Sequence, residues 1–187
     1  MADSLELLLD TATESLLSGQ WSALDEAGLP SARQVRSSTN RPHVTLLAAA
    51  HIRPGADATL SPVAQRLPLR AILGAPLVFG AGTHHTLARL VVPSTELLSI
   101  HATVWRLSSP FVGTDDSGAP TLPFGHTAPG AWTPHITIAR RMTATQVGAA
   151  LEVLAHAPTG DHEFTFTALR RWDGRARTDH ILAGWAC

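Results

Sequence analysis

An α+β fold built from two similar halves is what this sequence predicts, and three observations carry that expectation. The pattern Pro-His-apolar-Thr-apolar occurs twice, at residues 42–46 and 134–138. Segments with strand-like alternation are interleaved with segments of helical spacing, in an order that repeats. The offsets between matching segments are also nearly constant: residues 5–14 match 87–96 at 82, the motif strands match at 92, and residues 68–80 match 162–172 at about 93. The jump in offset falls where loop 109–131 outgrows loop 28–41. Each half then reads strand, helix, motif strand, helix, strand. Such duplication predicts two lobes related by a pseudo-twofold axis, with the motif strands meeting between them.

Taken in order, residues 4–10 read as a strand, and residues 11–27 as a helix capped by Thr11 or Thr13, with Leu16, Leu17, Trp21 and Leu24 near helical spacing. Gly28-Leu29-Pro30 stops that helix, and an Arg-rich polar loop leads into the strand at 43–49. Pro54-Gly55 marks a turn before a short helix over 57–66. Residues 68–80 and 86–92 read as strands paired around the turn Gly80-Ala81-Gly82. A helix capped by Ser94 or Thr95, with Glu96 in its first turn, runs to about Ser108. Residues 109–131 hold four prolines and four glycines, a long irregular loop feeding the strand at 135–140. A helix over 143–157 and strands over 162–172 and 178–185 complete the chain.

Composition narrows the function. At 187 residues, 44% apolar and 16% charged, the chain suits one well-buried soluble domain covering residues 1–187. The net charge is −1, and all 14 basic residues are arginine. A protein that grips long nucleic acid carries a strong basic excess, because neutralising phosphates dominates that affinity. Its absence favours a small phosphorylated ligand or an RNA end over a long duplex. The lone cysteine, Cys187, allows no internal disulfide and is a poor nucleophile at a terminus. No window has the length of a membrane span and no leader pattern is visible, so the expected setting is the cytoplasm, as a monomer.

The doubled motif carries the chemistry. In an extended strand His43 and Thr45 share one face while Val44 and Leu46 share the other, and His135 and Thr137 stand likewise against Ile136 and Ile138. Two imidazoles and two hydroxyls brought together suit reaction at a phosphate ester. In these motifs, in the flanking Arg41-Pro42 and Thr133-Pro134, and in Ala139-Arg140, the chain resembles the two-histidine (2H) phosphoesterase superfamily, within it the LigT-like, 2′-5′ RNA ligase-like branch. One such motif arises readily by chance; two in equivalent positions of a repeat do not. The resemblance covers nearly the whole chain. It implies a bilobal fold of two antiparallel sheets with helices outside and a central cleft lined by both motif strands. It also implies metal-independent chemistry on cyclic phosphodiesters or 2′-5′ linkages, with no cofactor.

For a 2′,3′-cyclic phosphate, attacking water must lose a proton and the departing ribose oxygen must gain one. Histidine titrates near neutrality and suits both tasks. The expected assignment is His135 as base and His43 as acid, with Thr45 and Thr137 donating to non-bridging oxygens. Arg140 would add positive charge, although strict alternation puts it opposite His135, so a bend must redirect it. Trp132 and Phe124 could stack on a base. His84, His85 and His126 lack the spacing of a metal site and read as loop histidines. Asp115-Asp116 reads as a turn, and Asp173, Arg175, Arg177 and Asp179 as a solvated hairpin end. Alternatives to cyclic phosphodiester hydrolysis are 2′-5′ RNA ligation and a module that binds a nucleotide or RNA end without turnover.

Overall fold

The computed structural model describes residues 2–113, 121–155 and 162–184. Its elements are β1 (Asp3–Leu9), α1 (Thr11–Glu26), β2 (His43–Ala49), α2 (Ala56–Thr59), α3 (Ser61–Ala64), β3 (Leu69–Phe79), β4 (His85–Val91), α4 (Thr95–Ser108), β5 (His135–Met142), α5 (Ala144–Leu154), β6 (His162–Asp173) and β7 (Thr178–Gly184). The order is the one the sequence predicts, with two adjustments. The expected helix over 57–66 is two single-turn helices, and Pro62 lies in the first turn of the second. α1 is capped by Asp10 instead of a threonine: its carboxylate accepts the Thr13 N–H at 2.8 Å and also the Thr165 N–H at 2.7 Å. Gly28, in the left-handed region at φ 70°, ends α1 as expected. Asp115, Asp116, Trp185 and Cys187 lie outside the described residues.

All strands pair antiparallel in one sheet, ordered β2-β1-β6-β3-β4-β5, with β7 added to β6. The duplication is visible in the register. His43 faces Leu8 and His135 faces Leu90; Thr45 faces Glu6 and Thr137 faces Ala88. On the other side of β1, Leu9 faces Phe166, and its counterpart Val91 on β4 faces Leu73. These pairs reproduce the offsets of 82, 92 and 93 (90 − 8, 135 − 43, 166 − 73). The repeat does not by itself convey that the third strands are exchanged. β3, from the first half of the chain, completes β4-β5, while β6, from the second half, completes β1-β2. The β3–β4 hairpin forces this: its turn carries Gly80 at φ 105° and Gly82 at φ 83°, so β3 leaves with the strand that follows it.

One face of the sheet is sealed by helices. Leu5, Leu7 and Leu9 of β1, Val44 and Leu46 of β2, and Ile136 and Ile138 of β5 are completely buried with Leu17 and Leu24 of α1 and Leu97, Ile100 and Val104 of α4. The motif strands are the two ends of the strand order, yet they touch, because the sheet curls until β2 and β5 meet. Each is further packed by the helix of the opposite repeat, α4 on β2 and α1 on β5. No described helix is long and apolar enough to cross a membrane.

Candidate active site

Alternation on β2 and β5 holds through the motif: His43, Thr45, His135 and Thr137 are half-buried, and the apolar residues between them are inaccessible. Each imidazole is fixed in the same way. His43 Nδ1 lies 2.7 Å from the Arg41 carbonyl oxygen, and His135 Nδ1 lies 2.7 Å from that of Thr133. A carbonyl oxygen only accepts, so Nδ1 must carry the proton in both rings. Nε2 is therefore the exchanging nitrogen, able to accept a proton when the ring is neutral and to donate one when it is charged. The residues holding these rings precede Pro42 and Pro134, which keep them extended.

The two motif strands are also tied crosswise. Trp21 of α1 donates its indole N–H to the Thr137 carbonyl at 3.1 Å, and Trp132 donates to the Thr45 carbonyl at 2.8 Å. The backbone of each catalytic threonine candidate is thus held by a tryptophan outside its own strand.

Electrostatically the histidines differ. His43 Nε2 stands 3.4 Å from Oε1 of Glu6, a buried carboxylate whose Oε2 takes the Arg170 guanidinium at 2.7 Å. Burial alone would push Glu6 up. The His43 and Arg170 charges, with hydrogen bonds from Ser4 and Arg170, more than offset this, and Glu6 stays below the ordinary carboxylate value. Among the described residues no carboxylate pairs with His135 in this way. Burial pulls it below the ordinary imidazole value; its hydrogen bond to Thr133 opposes that, and the Arg140, His43 and His126 charges reinforce it. The Phe79 ring lies 4.6 Å from it, tilted by 50°.

Arg140 does reach the motif face, through a bulge. The register slips after Leu87, so Ile138 and Ala139 are both buried and Arg140, exposed, falls on the side of His135 and Thr137. β2 slips at the equivalent point, after Leu5, which buries Leu46 and Leu47 together. Trp132 sits at the site as a strut: His101 stacks on it at 3.9 Å and 5°, and its N–H is spent on Thr45. Phe124 is 39% exposed, and its backbone N–H bonds the Ala48 carbonyl beyond the first motif. His84 lies at the end of the β3–β4 turn and His85 opens β4. Among the described residues no three His, Cys, Asp or Glu side chains are grouped to hold a metal ion. Asp179 departs from the expected solvated hairpin end, because it pairs with buried Arg170 at 3.2 Å.

Sequence reasoning passed over Glu6, Arg170, Trp21 and Phe79 as site residues. Glu6 left a signal: it is the one acid inside the otherwise apolar run Leu5 to Leu9.

Known proteins bear on the family. The profile of the 2′-5′ RNA ligase superfamily matches residues 15–177. No curated protein matches the chain. Among solved structures, TT0787 of Thermus thermophilus is 14% identical at a TM-score of 0.52, over 99% of this chain and 97% of that one. Usb1 of Kluyveromyces marxianus, solved with uridine monophosphate, is 13% identical at a TM-score of 0.48, over 97% and 98%. The match to TT0787 extends the likeness of fold along essentially the whole chain. With a profile match spanning both histidine motifs, the chain belongs to the 2′-5′ RNA ligase superfamily, the 2H phosphoesterases.

Proposed function

We propose that this protein is a metal-independent phosphodiesterase that opens 2′,3′-cyclic phosphates on RNA ends or small nucleotides. The observation that carries the reading is the matched pair of imidazoles, each with Nδ1 locked to a carbonyl and Nε2 left to exchange a proton, each two residues before a threonine on touching strands. His135, held neutral, takes a proton from water as the water oxygen bonds to phosphorus. The bond from phosphorus to one ribose oxygen breaks, and His43 returns a proton to that oxygen. Water is consumed, and a phosphomonoester with a free hydroxyl remains. Thr45 and Thr137 donate to the non-bridging oxygens, and Arg140 offsets the negative charge that builds there. Phe124 offers an exposed ring for base stacking, while Trp132 contributes by holding β2. A terminal or small phosphate as substrate agrees with a net charge of −1.

Hydrolysis of 2′,3′-cyclic nucleotides and cyclic-ended RNA in excess chelator tests this. The expected result is turnover in chelator that drops by roughly 10²- to 10⁴-fold in His43→Ala and in His135→Ala. Undiminished turnover in both variants would sink the reading. The superfamily description favours one second reading, 2′-5′ ligation, in which a ribose hydroxyl replaces water at the same histidines. Following one labelled RNA for both cleaved and joined products separates the two.

A further inference from the structure

The duplicated register lets the two halves of the site be compared position by position, and they are not alike. Glu6 faces Thr45, while the residue facing Thr137 is Ala88. Arg170 lies beside Glu6, while Leu77 lies beside Ala88. A buried ion pair on the His43 side is therefore matched by two apolar side chains on the His135 side. We propose that Glu6 is a positioning residue that makes the histidines unequal: its carboxylate, beside Nε2 of His43, favours the proton-donating ring there and so fixes His43 as the acid and His135 as the base. This rests on the phosphodiester reading above and deepens it.

Charge balance supports the assignment. The groups facing His43 are Glu6 of β1, with Arg170 of β6 behind it and Asp179 of β7 behind Arg170, and from β5 His135, flanked by Arg140. Glu6, Arg170 and Asp179 are linked through contacts of 2.7 and 3.2 Å and sum to one negative charge. A proton on His43 neutralises that cluster. The division of labour within the carboxylate fits as well. Arg170 Nε and one terminal nitrogen both address Oε2, at 2.8 and 2.7 Å, leaving Oε1 for Ser4 and His43. The 3.4 Å separation from Nε2 is long for a hydrogen bond, so the carboxylate favours the charged ring without binding its proton tightly. On the other side, Arg140 and His126 place positive charge near His135, which works against a second imidazolium.

Glu6→Gln keeps the shape and removes the charge. An opposite charge at this range favours the ionised form by about one pH unit or more. In the variant, the basic limb of the kcat/KM profile on a 2′,3′-cyclic nucleotide is expected to move about one unit toward acid, a roughly tenfold loss at pH 8, with the acidic limb moving less and toward higher pH, because a less charged His43 repels a proton on His135 less. Imidazole nitrogen NMR at pH 7 on the free protein should show a lower protonated fraction for His43 and no loss of protonation at His135. A folded Glu6→Gln protein with the wild-type basic limb and wild-type His43 protonation would overturn the proposal, as would movement of the acidic limb alone. If the single variant does not fold, Glu6→Gln with Arg170→Met and Asp179→Asn removes the three linked charges together and is read in the same way. The NMR arm needs no substrate. Failure to find a cyclic phosphate that turns over would count against the phosphodiester reading and leave the His43 result standing by itself.

Discussion

A histidine serves as a base only while its ring is neutral, and burial favours that form in His135, the base of the proposed reaction. Its proton affinity is lowered from the ordinary imidazole value, so the acidic limb of the rate profile should fall below about pH 6.5. Arg140 contributes to that lowering. Arg140→Met should therefore shift the acidic limb toward higher pH, by a few tenths of a unit for an exposed charge, and raise KM; a limb that moves to lower pH would contradict the assignment. The two tryptophans act on the threonines instead. Trp132→Phe leaves the ring over His101 but deletes the donor to the Thr45 carbonyl, at a cost of roughly 0.5–1.5 kcal/mol in stability. Urea unfolding measures that cost, and kcat should fall more than KM rises, because the hydroxyl of Thr45 is displaced.

Among the elements, the motif strands do more than alternate. A bulge follows the motif in each, at Leu46 and Ile138, and it turns two successive apolar side chains into the core. Pattern reading found the strands because β-branched and aliphatic residues alternate with His and Thr. It also found the need for a bend at Arg140, but the bulge itself has no local signature such as glycine. Glu6 stayed hidden for a related reason. Its partner Arg170 is 164 residues away, and no local pattern pairs them. Asp10 shows the same mixture of local and distant roles, capping α1 while accepting the Thr165 N–H of β6. Burial raises Asp10, and those backbone hydrogen bonds more than offset it, so its contribution is present above the ordinary aspartate value and lost as pH falls through the lowered folded value. Asp10→Ala should cost about 1–2 kcal/mol, more than a cap alone, with the difference from wild type shrinking in acid.

For the whole molecule, two imidazoles among the described residues contribute to the response to acid. His101 and His135 both bind protons less readily folded than unfolded, chiefly through burial. Their folded values are lowered, so above about pH 6.5 they impose no penalty, and stability falls as pH drops below that point. Tm should accordingly be lower at pH 5.5 than at pH 7.5, and the gap should narrow in His135→Gln; an equal gap would reject the attribution. The order of elements within each half was legible because duplication wrote it twice, and the paired offsets alone locate both motif strands. The exchange of β3 and β6 has a further consequence, for the division of the chain. Each half closes its sheet with the third strand of the other half. Cut between β4 and α4, neither fragment would hold a motif strand together with its full set of neighbours, and activity would return only when the two pieces were mixed.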